Sequence, residues 1–215
     1  MKRLWMIFLA LTLLSPTAAL AVGKGSTFFG VQLASGTADL YSLNGPGYIT
    51  AFDHSELSLQ AQSWHFLTED LALAISAGIG GFRETDKPGT GAPGGATDSK
   101  YTQSSFNVRI GGDHVVKLGE RSMLFFGPGI EYWSGKAKFT SGISSTQNWE
   151  DQTVSRYSLG GRIGAMMRAR GPFSACFQIG HKVGLASATD NGAKATWWPS
   201  SFDAAGGVVL ALGGD

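Results

Sequence analysis

The chain has 215 residues, 17 Lys and Arg against 16 Asp and Glu, a net charge of +1, and 31 glycines, about twice the usual share. So balanced a charge offers no field to hold a phosphate backbone, which argues against nucleic acid as a partner. A lone cysteine, Cys176, excludes an internal disulfide and a thiolate metal cage.

Lys2 and Arg3 precede the apolar run Leu4–Leu14, Ser15-Pro16-Thr17 break it, and Ala19-Leu20-Ala21 supplies the small-x-small pattern of a cleavage site. The run is too short for a helix to cross a bilayer, so residues 1–21 read as a cleaved signal peptide and 22–215 as the mature chain. Loss of Lys2 and Arg3 leaves 15 basic against 16 acidic residues. No later run is long and apolar enough for a membrane-spanning helix.

The remainder has a period of two. A first strand is expected over Thr27–Ser35, with Phe29, Val31 and Leu33 on one face. A second spans about Glu56–Phe66, but its bulk moves from Leu57, Leu59 and Ala61 to Trp64 and Phe66, which predicts a bulge or register change between them. In the third, Leu71, Leu73, Ile75, Ala77 and Ile79 alternate with small residues. In the fourth, Phe106, Val108 and Ile110 alternate with Asn107, Arg109 and Asp113. The fifth alternates Leu124, Phe126, Ile130 and Tyr132 with Phe125, Gly127, Gly129 and Glu131, and Pro128 predicts a bulge or a missing ladder bond. Tyr157–Met167, Phe173–Leu185 and Ser201–Leu212 give the sixth, seventh and eighth strands.

The connections Leu67–Asp70, Leu118–Arg121 and Ala169–Pro172 are tight, whereas those near 41–55, 83–103, 134–152 and 186–200 are long and rich in Gly, Ser, Thr, Asn and Asp. Such strict alternation fits a barrel with short periplasmic turns and long external loops. Strands of about 9 to 14 residues suffice to cross hydrocarbon when tilted, since ~9 to 11 are enough. The fold class is therefore all-β, an eight-stranded antiparallel up-and-down transmembrane β-barrel, closed because lipid cannot satisfy a bare sheet edge.

The positions expected to point inward are mostly Gly, Ala and Ser, with Asn107, Arg109, Asp113, Glu131, Arg162, Gln178, Lys182 and Asp203 among them. Eight strands enclose only enough room for their own side chains, so the interior is expected to be packed and polar rather than an open channel. Arg109, Arg162 and Lys182 against Glu131 and Asp203 predict an internal salt-bridge network. Two aromatic belts are expected at the headgroups. One holds Phe28, Phe66, Phe126 and Phe173, the other Tyr41, Tyr132, Trp133, Tyr157, Trp197, Trp198 and Phe202.

The hairpins Phe66-Leu67-Thr68-Glu69-Asp70-Leu71-Ala72-Leu73 and Phe126-Gly127-Pro128-Gly129-Ile130-Glu131-Tyr132 resemble those of outer-membrane β-barrel domain proteins, the small barrels of the OmpA-transmembrane or OmpX type. The resemblance implies a monomer in the outer membrane of a Gram-negative cell envelope, placed there by the barrel assembly machinery and bathed in outer-membrane lipids and lipopolysaccharide. It does not fix the function; the chain is expected to be a non-enzymatic barrel without a cofactor, its long loops acting in adhesion, surface interaction or envelope integrity.

Two alternatives remain. A small solute porin needs a wider lumen. Lipid A deacylases, which also use this architecture, carry a His-x-Ser pair facing the outer leaflet. His181 is expected on the lipid face toward the external end of the seventh strand, where a neutral imidazole can act as a base. The second residue after it is Val183, not Ser, and Ser187 falls in a loop. No catalytic, cofactor-binding or metal-ligating residue is therefore assigned. His54, His65, His114 and His181 lie on separate strands or strand ends without metal-site spacing, and Gly89–Gly95 lacks the Lys-Ser/Thr of a phosphate cradle.

Overall fold

Alternation of apolar and small or polar residues places every second side chain on one face, and the computed structural model turns that face outward. It describes residues 23–43, 49–86, 98–140, 149–169, 172–190 and 193–212; the expected signal segment 1–21 lies outside them. The strands are β1 (Thr27–Leu43), β2 (Ile49–Phe66), β3 (Leu71–Asp86), β4 (Ser99–Lys117), β5 (Ser122–Thr140), β6 (Trp149–Arg168), β7 (Phe173–Asp190), β8 (Ala193–Trp197) and β9 (Ser200–Leu212). Consecutive strands from β1 to β8 pair antiparallel, and β1 pairs β9 from Thr27 with Leu212 to Gly36 with Asp203, which closes the barrel. Both β8 and β9 pair with β7, so together they form the eighth wall strand. Its interruption falls at Trp198-Pro199, where proline has no N–H to donate.

The strands are longer than expected. Those from β1 to β7 run 16 to 20 residues, because much of each polar connection continues the ladder beyond the point where apolar alternation stops. Leu33, Ile79, Ile130, Leu159 and Phe177 are among the exposed apolar residues of the wall. Higher up, the outward positions of β4 and β5 become Ser104, Thr102, Lys100 and Lys136. An outward apolar band with a polar rim on the long-loop side is the pattern of a barrel standing in a bilayer.

The three tight turns share one hydrogen-bond scheme. The first turn residue donates its N–H to the carbonyl opening the next strand: Leu67 to Leu71 at 2.9 Å, Leu118 to Ser122 at 2.8 Å and Ala169 to Phe173 at 2.9 Å. The carbonyl of the last turn residue then accepts from a further strand, Asp70 from Val115, Arg121 from Arg168 and Pro172 from Ala211. Gly119, at φ 141°, supplies the left-handed residue of the second turn. In the first, the Thr68 hydroxyl donates to Asp70 at 2.5 Å and holds that carboxyl below the usual carboxylate range.

Two sequence expectations change here. The second strand carries no bulge, since its register runs unbroken against β1 and β3. Trp64 and Phe66 share the inner face with Ser58, Gln60 and Gln62, because the barrel interior is itself apolar at the turn end. At Pro128 the alternative of missing ladder bonds holds. The β4–β5 register resumes unchanged on either side of a gap at Gly112–Asp113 opposite Gly127–Pro128. A Cβ on Gly127 would run into the Gly112 carbonyl, whereas one on Gly112 would meet nothing within 4 Å. Gly127→Val is therefore expected to lose about 1–3 kcal/mol or more. Gly112→Ala should leave the midpoint of urea unfolding in vesicles, followed by gel mobility, unchanged.

Candidate functional site

With the wall closed, polar side chains meet in the lumen and, on the outer face, in two His–hydroxyl pairs: Thr27 with His65 at 3.0 Å toward the turn end and His181 with Ser200 toward the loop end. The turn end of the lumen is apolar, with Phe28, Trp64, Phe66, Met123, Phe125 and Met166 in one buried cluster. Phe28 meets Phe66 edge-on at 5.2 Å and Trp64 meets Phe125 at 5.7 Å. A Cβ on Gly164 would overlap the Phe125 ring, so glycine makes room for the aromatic.

Immediately above, the Arg162 guanidinium lies 5.6 Å from the Trp64 ring and 5.4 Å from the Phe125 ring. Its Nε donates to Asp113 Oδ1 at 3.1 Å, its Nη2 donates to Oδ2, and its Nη1 donates to Gln178 Oε1 at 3.0 Å. The Trp64 indole N–H also donates to Asp113, at 3.0 Å. Asp113 is fully buried, and this fork-to-fork pairing is what makes its charge tolerable there.

The next layer centres on Glu131. Lys182 Nζ donates to its two oxygens at 2.7 and 2.8 Å, Arg156 Nη2 donates at 3.4 Å, and Asp203 stands 3.9 Å from Lys182. Glu56 accepts from the Trp133 indole at 3.1 Å and from the Ser105 hydroxyl, and Arg156 lies over the Trp133 ring. Among the described residues, polar cavities of about 20 and 30 Å³ lie in and beside this layer. Each has room for one or two waters.

All eight large polar residues expected inside are inside, and the network exists, with two corrections. Arg109 makes no ion pair among the described residues. Its Nη2 is buried without a hydrogen-bond partner, and its guanidinium fills the space where Gly129 would carry a Cβ. Asp113 takes the acidic role that was assigned to Glu131 and Asp203 alone. Arg156 and Glu56 were missed because they sit beyond the last apolar pair of their strands, although their parity matches Arg162 and Gln60.

The belts are corrected as well. Phe28, Phe66 and Trp133 are buried in the lumen, and Trp197 packs against the cluster around Trp133. Tyr41 is described by its backbone alone. Phe126 and Phe173 keep the turn-side belt, and Tyr157, Trp198 and Phe202 stand exposed on the loop side. There the rings of Phe106, Tyr132 and Tyr157 form a contiguous row, at 5.8 and 4.9 Å.

On the lipid face, His181 is exposed on β7 as expected. Val183 removes the serine two residues on, but Ser200 at the start of β9 stands in hydrogen-bond reach instead, its Oγ 2.9 Å from His181 Nε2. The imidazole also lies 4.4 Å from the Phe202 ring. No carboxylate orients its other nitrogen among the described residues, and no group of three potential metal ligands occurs there.

A closed eight-stranded wall, apolar outside and filled inside, defines a small transmembrane β-barrel of the outer membrane. Among solved structures the chain is similar to Neisserial surface protein A, with a TM-score of 0.53 at 13% identity over 86% of this chain and 97% of that one. It is also similar to the outer membrane protein OprG from Pseudomonas aeruginosa, with a TM-score of 0.55 at 11% identity over 91% and 99%. Likeness at this identity is likeness of fold. No protein-family model matches the chain, and no curated protein matches it.

Removing the carboxylate in Asp113→Ala leaves the Arg162 charge buried and unpaired, so a loss of about 3–5 kcal/mol is expected. The double variant Asp113→Leu with Arg162→Leu should cost much less, and urea unfolding of both in vesicles checks the difference.

Proposed function

We propose that this chain is a closed, non-enzymatic outer-membrane barrel whose work is done by the surface it raises outside the bilayer. The observation that carries this reading is the filled lumen: an aromatic layer, an Asp113–Arg162 layer and a Glu131–Lys182–Arg156 layer succeed one another, with space for a few waters only. A solute porin needs a continuous aqueous path, and these layers leave no width for one. The wall meanwhile extends past its apolar band on the side of the long connections, which lifts them on a stiff support. Outward and exposed on that rim are Arg83, Lys100 and Lys136. Their charge and height suit the phosphates of lipopolysaccharide, the partner we assign to the rim, whereas adhesion or another surface contact falls to the loops.

A lipid A hydrolase is the weaker reading. His181 and Ser200 are close enough to exchange a proton, but a nucleophile–base pair also needs a group holding the imidazole in its working tautomer. None is present among the described residues. The purified protein is expected to give no single-channel conductance in planar bilayers, and steady ion-conducting events would overturn the closed-lumen reading. Ser200 is expected to stay unlabelled by a fluorophosphonate probe; labelling lost in His181→Ala would favour the hydrolase.

A further inference from the structure

We propose that one ester-linked acyl chain of an outer-leaflet lipid binds along β9, with its ester oxygens on the His181–Ser200 pair and its tail in the groove over Gly206. Two independent observations meet here. The first is the pair itself, polar and exposed on the outer face toward its loop end, as Thr27–His65 is toward the turn end. A neutral imidazole has one N–H and a serine one O–H, and their mutual bond consumes only one of these donors. Whichever tautomer is present, one donor is left over, and in an apolar medium it is costly without an acceptor. Acyl chains surround it, and the acceptors they bring are ester carbonyl oxygens.

The second observation is a groove of about 490 Å³ on the outer wall, walled by Leu33, Leu59, Met167, Phe177 and Val208 around Gly206. That volume lies in the range of small-ligand sites, ~300–1,000 Å³. Above it Ser35 and Ala204, exposed and facing each other in the ladder, are small, and the exposed Phe202, its ring 4.4 Å from His181, stands between Ala204 and Ser200 on the same face of β9. Six residues separate Ser200 from Gly206, roughly 20 Å along the strand. At the usual barrel tilt this is roughly 15 Å along the membrane normal, half of the ~30 Å hydrocarbon layer. A chain whose ester rests on Ser200 therefore reaches the bilayer midplane where the groove lies.

Gly206 offers a clean way to fill it. A Cβ there meets its nearest atoms at 3.7 and 3.9 Å, ordinary contact, whereas one on Gly207 would collide with the Val31 carbonyl. The full chain is reconstituted in diester phosphatidylcholine vesicles carrying a small fraction of phosphatidylcholine with a terminal diazirine on one chain. After irradiation, labelled peptides are mapped by mass spectrometry, and folding is verified by heat-modifiable migration. Cross-links are expected to concentrate on the peptides of Leu33, Leu59 and Phe177. They should fall about fivefold when both donors are removed in His181→Leu with Ser200→Ala, the equivalent of one hydrogen bond, and fall likewise in Gly206→Leu. On the unmodified protein, a diether analogue without carbonyls should show the same fall. Label spread evenly around the apolar wall, or equal labelling by ester and ether chains, would overturn the proposal.

Discussion

A backbone amide in hydrocarbon has no water to turn to, and the pairing of β1 with β9 is what removes the last bare edges of this sheet. Closure at eight strands fixes the radius of the wall. The radius in turn fixes how much side chain the lumen must hold, and the sequence meets that demand by placing glycine, alanine and serine beside Trp64, Phe125 and Arg162. The exterior is then free to be largely apolar, because all but a few of the residues that need a polar partner have been turned inward or raised above the rim.

The filling is graded. Aromatic rings occupy the turn end, where the connections are short and sealed by repeated backbone hydrogen bonds. Charges occupy the middle and upper lumen, where Asp113 meets Arg162 and Glu131 meets Lys182 and Arg156, and Arg109 makes no ion pair among the described residues. Arg162 belongs to both zones, with its face over Trp64 and Phe125 and its edge on Asp113. A lysine at that position would present a point charge and lose the flat contact with the rings.

How much of this was legible depended on parity. Alternation of Phe106, Val108 and Ile110 with Asn107 and Arg109 fixes which side of β4 faces lipid, and a side chain two residues away must follow. The inward set could therefore be named residue by residue. Parity failed where its premise failed: bulk at Phe28 and Phe66 reads as a headgroup belt, and bulk at Trp64 and Phe66 as a bulge or register change in the second strand, yet the lumen has an apolar end of its own. Strand ends were hidden for a different reason, because above the membrane the outward positions become polar and alternation loses its contrast. Arg156 and Glu56 disappeared from view with it. The His181–Ser200 contact joins residues 19 apart on paired strands, a distance that no local motif reports.

Several lumen contacts join strands that are not neighbours: Trp64 on β2 and Arg162 on β6 both reach Asp113 on β4, Glu56 on β2 accepts from Trp133 on β5, and Gln32 on β1 donates to Cys176 on β7 at 3.3 Å. They act as chords across a wheel, each spanning two or three of its eight strands. A hollow cylinder squeezed by its surroundings flattens into an ellipse, but one braced by several chords resists flattening. When the surrounding bilayer thickens or thins, this barrel therefore answers by leaning as a rigid body, with its circular cross-section unchanged.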